Sequence, residues 1–314
     1  MKMKKAFAWM MSVILACGLL AGCSAPAAEE EPTKAPVQTD EQAPAAAAAP
    51  TQEGEKDPVA GTEIMVVSRE EGSGTRGAFV ELMGIEVKNE DGTKEDRTTE
   101  EAVIASKTDV VLQQVAGNVS AIGYISMGSL NDTVKALKIG GVEATAENVK
   151  NGTYAVSRPF NVAYKSTLSD VAQDFMNFIM SAEGQQIASG SYIPVDENAA
   201  AFTSNGASGK VVVAGSSSVT PLMEKLAEAY KAVNAGAEVE VQQSDSSAGM
   251  QAAIDGVCDI GMASRELKES EAAELTAAAI ALDGIAVIVN NENPAGDMTA
   301  EEVASIFMGE RTEW

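Results

Sequence analysis

The chain has 314 residues, 22 Lys and Arg against 46 Asp and Glu, three Cys and no His. Without imidazole there is no Ser-His-Asp or Cys-His catalytic unit and no His-ligated metal, and three Cys cannot complete a Cys₄ centre. A formal charge of −24 argues against a nucleic-acid partner, and 4% aromatic residues leaves few platforms for stacking sugars or bases.

The first residues read as an address. Lys2, Lys4 and Lys5 precede an apolar run from Ala6 to Leu20, too short for a comfortable membrane span and typical of a secretory leader. The run ends at Leu20-Ala21-Gly22-Cys23, which resembles a bacterial lipobox. That resemblance implies a lipoprotein signal peptide over residues 1–22, cleavage before Cys23 and acylation of its sulfur. Cys258 is then the remaining thiol, so no disulfide framework is expected. Acyl chains on Cys23 would hold the protein on a membrane surface without spanning it. Residues 24–60, rich in Ala, Pro and acids, read as a disordered tether that completes the segment 23–60.

From residue 61 short β-rich runs alternate with helical patterns, the signature of an α/β fold. Ile64–Val67 reads as a strand and Thr75–Leu82 as an amphipathic helix. Glu100–Val115 reads as one helix with Val103, Ile104, Val111, Leu112 and Val115 as its apolar stripe. Strands are expected at Ala121–Ile125 and Phe160–Tyr164, and a long helix at Leu168–Ile187. After a polar break at Thr203–Gly209 come a strand at Val211–Val213, a helix at Leu222–Val233 and a strand at Glu238–Val241. A helix at Ala248–Ile254 and strands at Asp259–Met262 and Ile285–Val289 follow. Thr299-Ala300-Glu301-Glu302 has the form of a capping box opening the last helix.

Three Ser/Gly-rich segments fall at strand-to-helix turns: Gly72-Ser73-Gly74-Thr75, Gly215-Ser216-Ser217-Ser218 and Ser244-Asp245-Ser246-Ser247-Ala248-Gly249. A helix start leaves N–H groups unpartnered and carries about half a positive charge, so each turn is a candidate oxyanion cradle as well as an ordinary cap. Arg69, just upstream of the first turn, can offer a permanently charged fork to a tetrahedral anion, or pair with Glu70 or Glu71. Screening limits what the distant acids can do against such a site.

At these residues the chain resembles the phosphate-binding proteins of bacterial phosphate ABC transporters. The matching text includes Val66–Arg76, Ala121–Ser126, Ser157-Arg158-Pro159-Phe160, Gly215–Ser218, Ser246–Gly249, Asp259–Leu267 and Asp283–Val287. The resemblance implies a two-lobed, periplasmic-binding-protein-like (type II solute-binding) α/β fold with a hinge and a cleft between lobes. It also implies capture of inorganic phosphate outside the cytoplasm, with ABC permease subunits as partners. The protein would be a lipid-anchored monomer without catalytic residues, metal or cofactor. Carried over by position, the ligand contacts fall on Arg69, Ser73, Gly74, Thr75, Ser217, Ser218 and Ser246, with Glu71 as the acid that orients the arginine. Ser264 stands where some members place an Asp that accepts the proton of hydrogen phosphate. That departure softens the expected penalty against sulfate and keeps sulfate, molybdate and tungstate as alternatives, with Asp245 or Glu266 as substitute acceptors. Arg76 and Arg265 are expected to pair with nearby acids.

The segment order departs from the family, because the half that usually comes second comes first. A circular permutant is the favoured explanation, and a piece of a longer chain the other. The implied lobes are residues 61–158 with 290–314, and residues 159–289. The crossovers would lie at Arg158–Tyr164 and Ile285–Asn290.

Overall fold

Runs of Val, Ile and Ala with no charge between them make strands that are buried on both faces, and these set the layout. The computed structural model describes residues 57–89 and 91–314; the leader, Cys23 and the tether through residue 56 lie outside them. The elements that position the site are, in chain order, β1 (Met65–Arg69), α1 (Gly74–Leu82), β2 (Val103–Ala105), α2 (Thr108–Ala116) and β3 (Ala121–Ser126). Next come β4 (Ser157–Tyr164), α3 (Asp170–Ile179), α4 (Ala182–Ala188), β5 (Gly209–Ser216) and α5 (Thr220–Val233). The series closes with β6 (Ala237–Ser244), α6 (Ser246–Asp255), β7 (Ile260–Ala263), β8 (Thr276–Asn290) and α7 (Ala300–Phe307).

The strands hydrogen-bond in the order β6-β5-β7-β4-β8-β3-β1-β2. Pairing is parallel within β6-β5-β7 and within β3-β1-β2, and antiparallel at the β7-β4, β4-β8 and β8-β3 contacts. The 15-residue strand β8 joins the two parallel groups: Thr276–Gly284 pairs with β4, and Ile285–Val289 pairs with β3.

Two large apolar cores lie on either side of this junction. One packs Phe79 on Tyr124 with ring centroids 3.9 Å apart, with Phe307 edge-on to Phe79 at 4.9 Å, and includes Ile85, Ile122, Ile285 and Val287. The other gathers Phe160, Phe175, Phe178, Leu222, Leu226 and Tyr230 around Val211 and Val213. Burying each of these large side chains contributes about 1.5–3 kcal/mol. The second core holds a buried carboxylate, Asp174, which accepts hydrogen bonds from the hydroxyls of Tyr230 (2.8 Å) and Ser204 (2.7 Å) and the N–H of Asn205 (2.8 Å).

Two expected helices are drawn differently by tertiary contacts. The stretch 100–115 is a strand followed by a shorter helix: β2 pairs in parallel with β1, Val67 opposite Val103, and α2 starts at Thr108. β-Branched Val103 and Ile104 sit comfortably in a strand, yet they are 37% and 54% exposed, so their assignment to a buried helical stripe was wrong. The long helix over 168–187 is two helices broken at Met180-Ser181. The Ser181 hydroxyl donates to the Phe178 carbonyl (2.7 Å) and accepts from Gly184 N–H (3.3 Å), replacing backbone bonds with side-chain ones. The capping box at Thr299 is present, with Glu302 reaching back to Thr299 N–H at 2.8 Å.

Candidate functional site

Four strands, two from each parallel group, end at the same place, and each hands the chain to a helix start. The turn after β1 delivers Ser73 and Thr75, that after β2 delivers Thr108, that after β5 delivers Ser216–Ser218, and that after β6 delivers Ser246. Strand β7 adds Ser264 from the same end. Within each parallel group the strand-helix units repeat one direction, and the three antiparallel contacts between the groups point their strand ends toward each other at the middle of β8.

The side chains meet in a buried cage. Arg69, at the end of β1, is 2% exposed and donates from Nη2 to Ser217 Oγ at 3.1 Å. Thr75 Oγ1 lies 2.8 Å from Ser218 Oγ and 3.2 Å from Ser264 Oγ. Thr108 Oγ1 lies 3.4 Å from Ser217 Oγ and 3.3 Å from Ser218 Oγ. Ser246 Oγ accepts from Ser264 N–H at 3.1 Å, and Ser216 Oγ donates to Ser264 Oγ at 3.0 Å. Ser73 caps α1, accepting from Arg76 N–H at 3.3 Å, and is itself buried.

Glycine allows the approach. A Cβ at Gly74 would collide with Ser246 Oγ and stand 2.9 Å from Ser264 Oγ, so only the bare backbone of α1 fits against the turns from β6 and β7. The Gly72 carbonyl accepts from Ser247 N–H at 3.2 Å, a second direct bond between the same turns.

Of the predicted site residues, Arg69, Thr75, Ser217, Ser218, Ser246 and Ser264 meet in this cage and Gly74 packs against it, whereas Ser73 bonds only within its own turn and Glu71 stays outside. Arg69 is oriented by Glu70, whose carboxylate accepts from Nε (2.8 Å) and Nη2 (2.6 Å), while Glu71 is exposed. The tight turn after β1, closed by Ser73 N–H donating to the Glu70 carbonyl at 3.0 Å, folds Glu70 back and leaves Glu71 at the outer corner. A bidentate fork of this kind fixes the guanidinium plane as well as its charge. Tyr124 supports the end of the strand, its hydroxyl accepting from Arg69 N–H at 3.2 Å and pairing with Ser68 Oγ at 2.9 Å. Burial pushes that phenol up to about 12, so it stays protonated.

The remaining candidates turn away. Arg76 pairs with Asp96 (2.7 Å) and donates to the Arg69 carbonyl (2.8 Å), and Arg265 makes a two-bond pair with Glu271 at 2.7 and 2.8 Å. Glu271 is held below the usual carboxylate range: burial opposes this most strongly, and the Arg265 bond, the Lys268 N–H and the two positive charges together outweigh it. Asp245 is spent on capping α6, accepting from Ala248 N–H at 2.8 Å, and Glu266 faces Asn161.

Sequence reasoning missed two cage residues. Thr108 was hidden inside a helix drawn too long. Arg158 stood in plain view before a buried strand, where an unpaired cation is costly and so implies a partner. Its Nη1 pairs with Asp283 and donates to the Gly284 carbonyl (3.2 Å), Nε donates to the Ser264 carbonyl (3.1 Å) and Nη2 to Thr75 Oγ1 (3.0 Å). Burial pushes the Asp283 carboxyl up and the Arg158 guanidinium down, each opposed by the other's charge.

Comparison with known proteins places the chain in a family. The PBP superfamily domain matches residues 45–183 and 200–314. The chain is 52% identical over 254 residues to a phosphate-binding protein PstS 2 from Streptococcus agalactiae, covering 80% of this chain and 86% of the relative. A crystal structure of a phosphate ABC transporter's phosphate-binding protein from Streptococcus pneumoniae TIGR4 superposes with a TM-score of 0.65. It is 49% identical and the match covers 80% of this chain and 98% of that one. The phosphate-binding protein PstS of Bacillus subtilis is 30% identical over 147 residues, 46% of each chain.

Proposed function

The chain belongs to the PBP superfamily and, within it, to the phosphate-binding proteins of ABC transporters, and on that premise we propose that it captures inorganic phosphate and hands it to an ABC importer. The observation that carries this reading is the cage: Arg69 and the hydroxyls of Thr75, Thr108, Ser217, Ser218, Ser246 and Ser264 converge from strand ends that belong to different cores. Hydroxyl donors, helix starts and one guanidinium in a site shut off from water are what a small oxyanion needs. A ligand touching turns from both cores favours the closed arrangement of the molecule.

In this reading residues 61–158 with 290–314 form one lobe and 159–289 the other, with β4 and β8 as crossovers. Arg69, Ser73, Gly74 and Thr75 bind from the first lobe, and Ser217, Ser218, Ser246 and Ser264 from the second. Removal of residues 1–22 and acylation of Cys23 would anchor a monomer on the outer face of the cell membrane, beside the permease subunits. Binding, not catalysis, is its task. We also read the segment order as a circular permutation. One feature supports it: Ile64 N–H donates to the Thr312 carbonyl at 2.8 Å, placing side by side two segments that the usual order makes consecutive; the Streptococcus agalactiae relative, matched along 86% of its length, shares the order found here.

Isothermal titration of the purified protein with phosphate tests the function. Saturable binding should also raise the melting temperature, by about 2.7 kcal/mol of stabilisation at a hundredfold excess over Kd. No heat and no thermal shift with phosphate would overturn the proposal.

A further inference from the structure

Among the described residues, three buried hydroxyls have no hydrogen-bond partner: those of Ser126, Ser129 and Tyr192. They lie together. Ser126 ends β3, and the single 3₁₀ turn that follows, Met127–Ser129, carries Ser129. Tyr192 belongs to the other core, with its ring tilted on Phe160 at a centroid distance of 5.2 Å, and it reaches across to this turn. A Cβ at Gly128 would stand 2.7 Å from the Tyr192 hydroxyl oxygen and closer still to the ring, so bare backbone is what admits the tyrosine here. Ser126 is wholly buried and Tyr192 is 3% exposed.

The acceptor they face is Asp283. Its Oδ2 takes the Arg158 guanidinium, whereas Oδ1 accepts a long bond, 3.4 Å, from Gly128 N–H. The Ser126 hydroxyl is near enough to Asp283 and to the Tyr192 phenol to favour the ionised form of each, yet it makes a bond of ordinary geometry with neither. Burial and then the Asp283 charge push the phenol up, so it keeps its proton and remains a donor. Three stranded hydroxyls in one place would forfeit much of the small free energy that holds a domain together. Buried polar groups in folded proteins are instead bonded, to protein or to ordered water.

From this we infer that the crossing of β4 and β8 holds a buried water molecule, which accepts from the Ser126 and Tyr192 hydroxyls and donates to Asp283 Oδ1 and Ser129 Oγ. A water has two protons and two lone pairs, so one molecule accounts for all three hydroxyls and for the weakly bonded carboxylate oxygen together. Tyr192 comes from one core and Ser126 and Ser129 from the strand and turn beside the other, so the water fastens the two cores at their crossing. It also backs the Asp283–Arg158 pair, whose far side donates to Thr75 Oγ1 and the Ser264 carbonyl. Nothing in this placement depends on what the cage binds.

Two measurements test it. A high-resolution crystal structure of the protein should show a water within about 3.2 Å of Ser126 Oγ, Tyr192 Oη and Asp283 Oδ1. Urea unfolding of Ser126→Ala and Tyr192→Phe should each show the folding equilibrium constant lowered by about fivefold, the phenylalanine keeping the packing on Phe160. Because the two hydroxyls share one water, the loss in the double variant should fall short of the product of the single losses by more than about twofold. Hydroxyls bonded directly to protein atoms with no water between them overturn the inference. So do single losses that simply multiply, or a Tyr192→Phe variant more stable than the parent, which would mark its hydroxyl as strained instead of bonded.

Discussion

At the end of β1, Arg69 is balanced by Glu70, a carboxylate with 21% of its side chain still exposed; at the crossing of β4 and β8, Arg158 is balanced by Asp283, which has none. Both guanidiniums are buried, and both touch the hydroxyl cage. The Arg69 pair is built at a turn, with donors aimed into the cage. The Arg158 pair is built into two crossing strands and spends its donors on the Ser264 and Gly284 carbonyls as well as on Thr75. On the proposed phosphate reading, one residue type serves recognition where its counter-ion can still reach water, and holds the architecture where its counter-ion cannot.

The largest expected effect tests the second half of that contrast. Asp283→Ala should destabilise the protein by about 3–5 kcal/mol, because it strands the Arg158 charge among buried strands. Urea unfolding measures it, and a loss under 1 kcal/mol would erase the distinction between the two pairs.

Arg69→Ala should weaken phosphate binding by about 2–4 kcal/mol, the cost of removing one partner of a buried charged contact. Its unfolding free energy should fall by less than that of Asp283→Ala. Equal losses of stability in the two variants would mean that Arg69 is architectural too.

Gly74→Ala sharpens the comparison from the side of space instead of charge. The added methyl would push into Ser246 Oγ and Ser264 Oγ, and overpacking of that kind costs about 1–3 kcal/mol. The loss should appear in phosphate affinity, since the strain arises where the turns of the two cores meet. Unfolding measured without ligand should change little.

The smallest effect concerns the neighbouring acids. Glu71→Gln should alter neither affinity nor stability by more than about 0.5 kcal/mol, as expected for an exposed side chain without a partner. Glu70→Gln should weaken phosphate binding by about 1–2 kcal/mol, because the fork that fixes the Arg69 plane is lost. Reversal of that ranking in a paired titration would restore Glu71 as the orienting acid.

Much of this was legible in the sequence. Strands with strong β-branched runs, such as 211–213 and 285–289, stand where their composition puts them, and Ser73, Ser217 and Ser246 stand at helix starts because Gly, Ser and strand-to-helix turns follow local rules. The failures were non-local. Val103 and Ile104 have the spacing of a helical stripe, and only the edge of β1 makes them a strand. Glu70 and Glu71 are equivalent acids until a turn points one inward. Arg158 lies 83 positions along the chain from the Thr75 hydroxyl it orients, and no local pattern records such a pairing.

By itself the sequence determined which side chains were available: hydroxyls at helix starts, glycines that let backbones approach, two arginines beside buried strands and no imidazole. Tertiary structure alone decided their use, by bringing four strand ends to one point and spending each acid on a particular cation or cap. The physical reason is range. Caps, turns and strand propensity act over a few residues, whereas the direction of a hydrogen bond and the choice of a counter-ion depend on whatever the fold sets about 3 Å away.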